Sequence, residues 1–447
     1  MFSRVAQRLT RAFSADAPAT TRVARNVVAI LVGDAAAEAV NTVSTARSAL
    51  ALGPGGFGVL SAAQAFVEPF RALAAFGLSV VCMTVAARRG GADGTLVRTL
   101  GGLHAFFALV ATGVVLALSA ATGAGGPLPL LSVVTLSMLP VVMTVAVRVP
   151  AQYEQAMHRL VVLPLGVSLV RLALIETAVR TGNTPFWHQS AITVSAVAGL
   201  AGTWWAVHRV YGLDGRWNRG LAMELLRTAW PIAVLDIVVT VYLKAAYLFL
   251  RPQGAVVLGT YAAAERLAQP LLGLCAAIVS SSLPLVARAA AHRDRHELAV
   301  AYRRTIRGAT LFVLPTVAAA AVGAPWVLSR FAPEYARAAR PLQILLAGVL
   351  FMFLNQLSSM FIIGVGRYRT LMIVAIGNLG MYVALASWLV PRYGAVGSAL
   401  ATTVMEGVNC VVQVVIVGVL LGSPRATGPA SLDAAAGDSP STEPPRT

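Results

Sequence analysis

Charge is scarce in this chain. Only 12% of its 447 residues are Asp, Glu, Lys or Arg, where a soluble protein needs about a quarter to cover its surface. Acids are the scarcer sign, 18 Asp and Glu against 35 Lys and Arg, and Lys244 is the sole lysine. Three cysteines, Cys82, Cys275 and Cys410, lie inside apolar stretches with no CxxC. That excludes a disulfide framework and gives no support to a redox or metal centre. Catalytic signatures are missing too: there is no Walker phosphate loop, no HExxH and no GxSxG. His292 and His296 stand one helical turn apart, but in an arginine-rich loop where a solvated helix end is the simpler reading. An enzyme is therefore not expected, and no cofactor or metal is implied. The net charge of +17 would fit a nucleic-acid binder. Yet the arginines sit in short loops between apolar runs, where membrane topology alone puts them. No nucleic acid partner is expected.

What the chain does have is hydrophobic length. Apolar residues make up 57% of it, in runs of roughly 20 or more, long enough to cross about 30 Å of hydrocarbon as helix. Lipid leaves backbone groups no outside partner, so such runs must be helices. The expected fold is an all-α integral membrane protein with about twelve crossings. They fall near residues 25–48, 57–86, 99–122, 128–148, 159–179, 186–208, 223–249, 255–286, 305–324, 340–364, 369–390 and 394–421. Residues 1–24 read as a basic amphipathic segment on the membrane surface, with Phe2, Val5, Leu9 and Phe13 on one face. Residues 422–447, rich in Pro, Ser, Thr, Gly and Asp, read as a disordered tail. Arginines crowd alternate loops, around 209–227 and 288–307 above all, which sets the N-terminus, the tail and the 211–222 linker in the cytoplasm. Arg330, Arg337 and Arg340 run against that pattern.

The chain also repeats itself. Gly58 to Gln64, followed by Glu68-Pro69, aligns with Gly259 to Glu265, followed by Gln269-Pro270. Each Pro lies inside its span, where it removes a hydrogen bond and permits a kink. Asp34 and Asp236 fall within one residue of equivalence. The repeat predicts an N-lobe over 25–210 and a C-lobe over 223–421, two six-helix lobes related by a pseudo-two-fold axis. A binding site is then expected between them.

An ionisable side chain at the bilayer centre costs about 2.5–3.5 kcal/mol, so each one needs a reason. Asp34 and Glu38 share a face of the first span; Gln64, Glu68 and Arg71 share a face of the second. The second half matches them with Asp236, Lys244, Glu265, Arg266 and Gln269, and adds Glu406. These stripes predict one central polar cavity. Glu68 with Arg71 reads equally as a local ion pair, Glu406 as a bond to a neighbouring span, and Arg171 with Glu176 as structural. Tyr242, Tyr247 and Tyr261 are options for stacking on a sugar or for anchoring at the interface. With no ATP site in the chain, an ion gradient or the membrane potential would drive it, with Asp34 or Asp236 as ion carriers.

Several stretches point to a family. Leu52-Gly53-Pro54-Gly55-Gly56-Phe57-Gly58 and Leu258 to Leu267, with Pro284 behind them, resemble polysaccharide flippases. So do Ala338 to Leu345 and Val390 to Ala399, in the same order. The resemblance implies the multidrug/oligosaccharidyl-lipid/polysaccharide exporter superfamily, a V-shaped pair of lobes, and movement of polyprenyl-pyrophosphate-linked oligosaccharide between leaflets of a bacterial inner membrane. Implied partners are that substrate, membrane lipids and polysaccharide polymerase machinery. By match to the family's polar spans, Arg71, Lys244 and Arg266 are candidates for the phosphate, with Gln64, Glu265 and Gln269 beside them. Asp34, Glu38, Glu68 and Asp236 are candidates for ion coupling. Replacing Arg71 or Lys244 by Ala is expected to impair export without loss of protein. A drug or cation exporter and a lipid II flippase share the fold and stand as alternatives. A membrane-embedded glycosyltransferase would need a large extramembrane loop, which this chain lacks.

Overall fold

The computed structural model describes residues 19–154, 156–291, 295–364 and 367–422. The expected surface segment before residue 19, the tail from 423 onward and His292 lie outside the described residues. Among the described residues twelve α-helices follow one another: α1 Ala19–Ala75, α2 Leu78–Arg89, α3 Gly94–Thr122, α4 Leu128–Leu136, α5 Met138–Tyr153 and α6 Val162–Thr181. Then come α7 Pro185–Tyr211, α8 Arg219–Leu250, α9 Ala255–Ala291, α10 Arg295–Phe331, α11 Ala339–Gly364 and α12 Tyr368–Gly422. Local chemistry sets their ends. Asp93 and Asn218 cap α3 and α8 by accepting from the Leu96 and Leu221 amides at 2.9 and 3.0 Å. Gly90, Gly123 and Gly212 close α2, α3 and α7 in the left-handed conformation.

Nine helical stretches among the described residues are long and apolar enough to cross a membrane. The helices do not coincide with the expected crossings one for one. α1 and α12, of 57 and 55 residues, are each far longer than the roughly 20 residues one crossing needs. Each leaves helical geometry once, α1 at Gly53 and α12 at Gly394, so that each has two arms. The expected span over 57–86 is broken instead at Phe76 and Gly77, both at positive φ, where Ile232 of α8 packs against the chain. The 128–148 span is likewise two helices, α4 and α5, meeting at Ser137. Exposed Trp205 and Trp388 each carry an arginine over the ring, Arg209 at 4.2 Å and Arg392 at 5.1 Å. Paired like this, they suit the boundary between hydrocarbon and water.

Alanines dominate where helices touch. Ala63, Ala74, Ala245, Ala246, Ala262 and Ala264 are all buried in the largest core cluster. With lipid outside as apolar as the core, close backbone approach and dispersion hold such helices together. The first turns of α8, through Leu221, Leu225 and Ala229, pack with Leu78, Val81, Leu96 and Leu100 of the first half. Its last turns, through Tyr242 to Leu250, join the main cluster with α9, α11 and α12.

A close backbone approach joins the two copies of the repeat. A Cβ built on Gly58 would lie 2.9 Å from the Gly259 nitrogen, and one on Gly259 would lie 3.0 Å from the Gly58 nitrogen. Their other contacts are reciprocal too: Gly58 faces the Ala255 carbonyl, and Gly259 faces the carbonyl of Pro54, the repeat equivalent of Ala255. Reciprocal contact between equivalent residues is the mark of a two-fold relation. It puts the pseudo-axis through this crossing of the second arm of α1 with the start of α9.

Candidate functional site

Just beyond that crossing, α1 and α9 separate around a polar cavity of about 390 Å³. The second arm of α1 contributes Gln64, Glu68 and Arg71, one to two turns apart and hence on one face. α9 contributes Arg266 and Gln269, and α8 contributes Lys244 and Tyr247. Arg171 from α6 and Gln189 from α7 close the wall. A second cavity of about 410 Å³ lies alongside, walled by Glu38 and Asn41 of α1. It shares Arg171, Arg266 and Gln269 with the first, so the three residues stand between the two.

The hydrogen bonds form three groups. Arg266 Nη2 donates to Gln64 Oε1 at 2.9 Å, and Gln64 Nε2 donates to Gln189 Oε1 at 2.9 Å. That relay ties the second half of the chain to the first across the cavity. In the second group Lys244 Nζ donates to Glu265 Oε1 at 2.9 Å, and the Tyr247 hydroxyl donates to the other oxygen of Glu265. Glu265 is thus neutralised behind the cavity wall. Glu68 binds Arg71 on its own helix, the guanidinium Nε donating at 3.1 Å.

Of the ten residues singled out in the sequence, Gln64, Glu68, Arg71, Lys244, Arg266 and Gln269 line the same cavity. Glu265 reaches it through Lys244, and Glu38 lines the neighbouring one. Asp34 and Asp236 are exposed and belong to neither wall. Among the tyrosines, Tyr247 alone reaches the cavity. Tyr242 is buried and donates to Glu406, and buried Tyr261 meets Tyr247 edge to face.

Arg171 and Glu176, both read from the sequence as structural, go separate ways. Glu176 accepts from Arg47 of α1 at 2.9 Å, while Arg171 lines the cavity. Arg171 forms no ion pair among the described residues, and its buried Nε has no hydrogen-bond partner there. The spacing of five carried the signal: it sets Arg171 and Glu176 on different faces of one helix.

The fold is shared with solved membrane transporters. An outward-facing multidrug resistance MATE family transporter of the MOP superfamily matches at a TM-score of 0.65 and 17% identity, over 90% of this chain and 96% of its own. The lipid II flippase MurJ, in an inward closed conformation, matches at 0.71 and 13% identity, over 87% of each chain. A MOP superfamily transporter from Pyrococcus furiosus, described as having a binding pocket of reversed polarity, matches at 0.63 and 16% identity, over 89% and 96%. At these identities the likeness is one of fold. No curated protein sequence matches the chain. A family model for MatE matches residues 231–388. The model for polysaccharide biosynthesis proteins matches residues 23–290, more than half of the chain, and the chain belongs to that family.

Proposed function

We propose that this multi-pass membrane protein is a flippase for an anionic lipid-linked saccharide, of the polyprenyl-pyrophosphate oligosaccharide class, moved from the inner to the outer leaflet of a bacterial inner membrane. The observation that supports this best is the charge of the cavity. Arg71, Arg171, Lys244 and Arg266 face one space, and two of them, Arg171 and Arg266, form no ion pair among the described residues. Unpaired guanidinium groups beside apolar helix are costly unless an anion visits them, and guanidinium suits phosphate oxygens in geometry and charge. Gln64, Gln189 and Gln269 add the neutral donors and acceptors that a sugar needs. Membership of the polysaccharide biosynthesis protein family and the fold shared with the lipid II flippase favour the same class.

In this reading residues 25–210 and 223–421 are lobes that rock about the Gly58–Gly259 crossing, joined by the 211–222 linker, with both termini cytoplasmic. Glu38 and Glu68, in the cavity walls, are the acids best sited for ion coupling; Asp34 and Asp236 are second. A second reading, an exporter of organic cations, draws on the MatE match over 231–388. A cation would meet Glu38 and Glu68 but also four cationic side chains, and like charges repel it.

Deleting the protein tests the choice. The flippase reading expects lipid-linked oligosaccharide to accumulate on the cytoplasmic leaflet. Normal surface polysaccharide together with new sensitivity to cationic dyes would instead establish the exporter.

A further inference from the structure

A third space of about 470 Å³ opens between the second arm of α1 and the end of α8. Its walls are Val59, Ala62, Phe66 and Phe70 from α1 with Val241 and Leu248 from α8. It holds no acid, and its two charged lining residues are Lys244 and Arg251. Arg251 is occupied, Nη2 donating to the Gly123 carbonyl at 2.6 Å, which closes the groove at the end of α3. Lys244 stands where the groove joins the central cavity: Ala65, Lys244 and Tyr247 line both. Leu248, 56% exposed, marks the side open to lipid.

The repeat gives this groove a counterpart. Ala62, Phe66 and Leu258 here are equivalent to Ala263, Leu267 and Phe57 in the cavity that holds Glu38. The two are therefore the two flanks of one pseudo-symmetric crossing, and they differ in chemistry. Both are largely apolar, but one flank adds Glu38, Asn41, Thr42, Thr45 and Arg171, whereas the other adds, as side chains with polar groups, Tyr247 and its two cations alone. A symmetric solute would not call for that division. An amphiphile would.

We infer that the α1–α8 groove holds the hydrocarbon chain of the transported lipid, with its anionic head at Lys244 and its polar body toward the Glu38 flank. This deepens the flippase reading and rests on it. A chain held here keeps the apolar surroundings it has in the bilayer, against a wall of Val, Phe and Leu, while the charge stays in the wet cavity.

Binding to the full-length protein in phosphatidylcholine nanodiscs separates the two levels, with geranylgeranyl pyrophosphate and inorganic pyrophosphate as probes. Ala62→Trp fills the groove, and Leu248→Trp narrows it from a position that folding barely constrains. Each should weaken geranylgeranyl pyrophosphate by at least about tenfold and leave inorganic pyrophosphate unchanged. If both variants, folded by thermal unfolding, bind the two probes like the wild type, the groove assignment is wrong while the flippase reading stands. Loss of neither probe in Arg171→Gln would overturn the flippase reading itself. A benzophenone side chain at Leu248 decides the occupant. Light should attach it to geranylgeranyl pyrophosphate, and capture of phosphatidylcholine alone, whatever the probe concentration, would make the groove a bulk-lipid site and overturn the inference.

Discussion

Gly58 and Gly259, one from each copy of the repeat, meet backbone to backbone, so that neither has room for a methyl group. The neighbours that block it are backbone carbonyls and amides, which cannot turn aside as a side chain can. Gly58→Ala and Gly259→Ala should each destabilise the protein by about 1–3 kcal/mol, the range for overpacking a tight core. Gly113, inside α3 with open space around it, is the control. There alanine should stabilise by up to about 1 kcal/mol through helix propensity. Thermal unfolding in detergent compares the three, and equal midpoints would mean the crossing is looser than described.

Lys244 and Arg71 should part company when each is replaced by Ala. Lys244 and Glu265 are 19% and 20% exposed, against 43% and 30% for Arg71 and Glu68. Removing Lys244 leaves Glu265 charged in a largely dry place, a loss of about 3–5 kcal/mol. Removing Arg71 leaves Glu68 in contact with the cavity, a loss of about 0–1 kcal/mol. The expectation of export failure without loss of protein should thus hold for Arg71→Ala, while Lys244→Ala should also lower protein yield. Adding Glu265→Gln to Lys244→Ala should restore the yield but not export. Immunoblots of membranes with a surface-polysaccharide assay read both, and equal yields for the two single variants would count against the buried pair.

The difference between these two cations also marks how far the sequence could be read. Hydrophobic length and the two Gly/Pro-rich repeats made the helical membrane fold legible, because lipid permits few other forms. The stripe Gln64, Glu68, Arg71 was legible because helical period alone puts its members on one face. What lay beyond reading was which helix faces which. Glu176 turns to Arg47, far away in the chain, and so leaves Arg171 for the cavity. Arg251, just past α8, ties to the end of α3 through a backbone carbonyl, a partner that no side-chain pattern announces. Asp34 and Asp236, matched in the repeat, stand in neither cavity wall.

Glu406 sits 5% exposed in α12 and gathers donors from three helices. Tyr242 of α8 donates to one oxygen, and Asn355 of α11 to the other at 2.6 Å, with Asn409 of α12 at 3.4 Å. The arrangement fits a structural hub. Glu406→Ala should cost about 1–3 kcal/mol for each buried donor left without an acceptor. Glu406→Gln keeps the shape and one carbonyl, and should fold with a much smaller loss and transport at close to the wild-type rate. Transport abolished in a well-folded Glu406→Gln would move this residue from the scaffold to the coupling machinery.

Arg171 and Arg266 offer the sharpest test of the cavity, because among the described residues neither gives up an ion pair when replaced. Arg171→Gln removes a charge whose Nε has no hydrogen-bond partner among them, so stability should stay level or rise. Arg266→Gln forfeits the 2.9 Å bond to Gln64 and should lose about 0.5–1.5 kcal/mol. Affinity for pyrophosphate should fall in both, since a charge-assisted hydrogen bond is worth about 1.5–3 kcal/mol, or roughly ten- to a hundredfold. Arg171→Lys should recover part of it, keeping the charge but losing the planar fork. Titration of inorganic pyrophosphate at low and high salt measures these losses. The Gln variants should also show a weaker salt dependence, because fewer charges then face the anion. Wild-type affinity in the double Gln variant would overturn the anion-binding reading of the cavity.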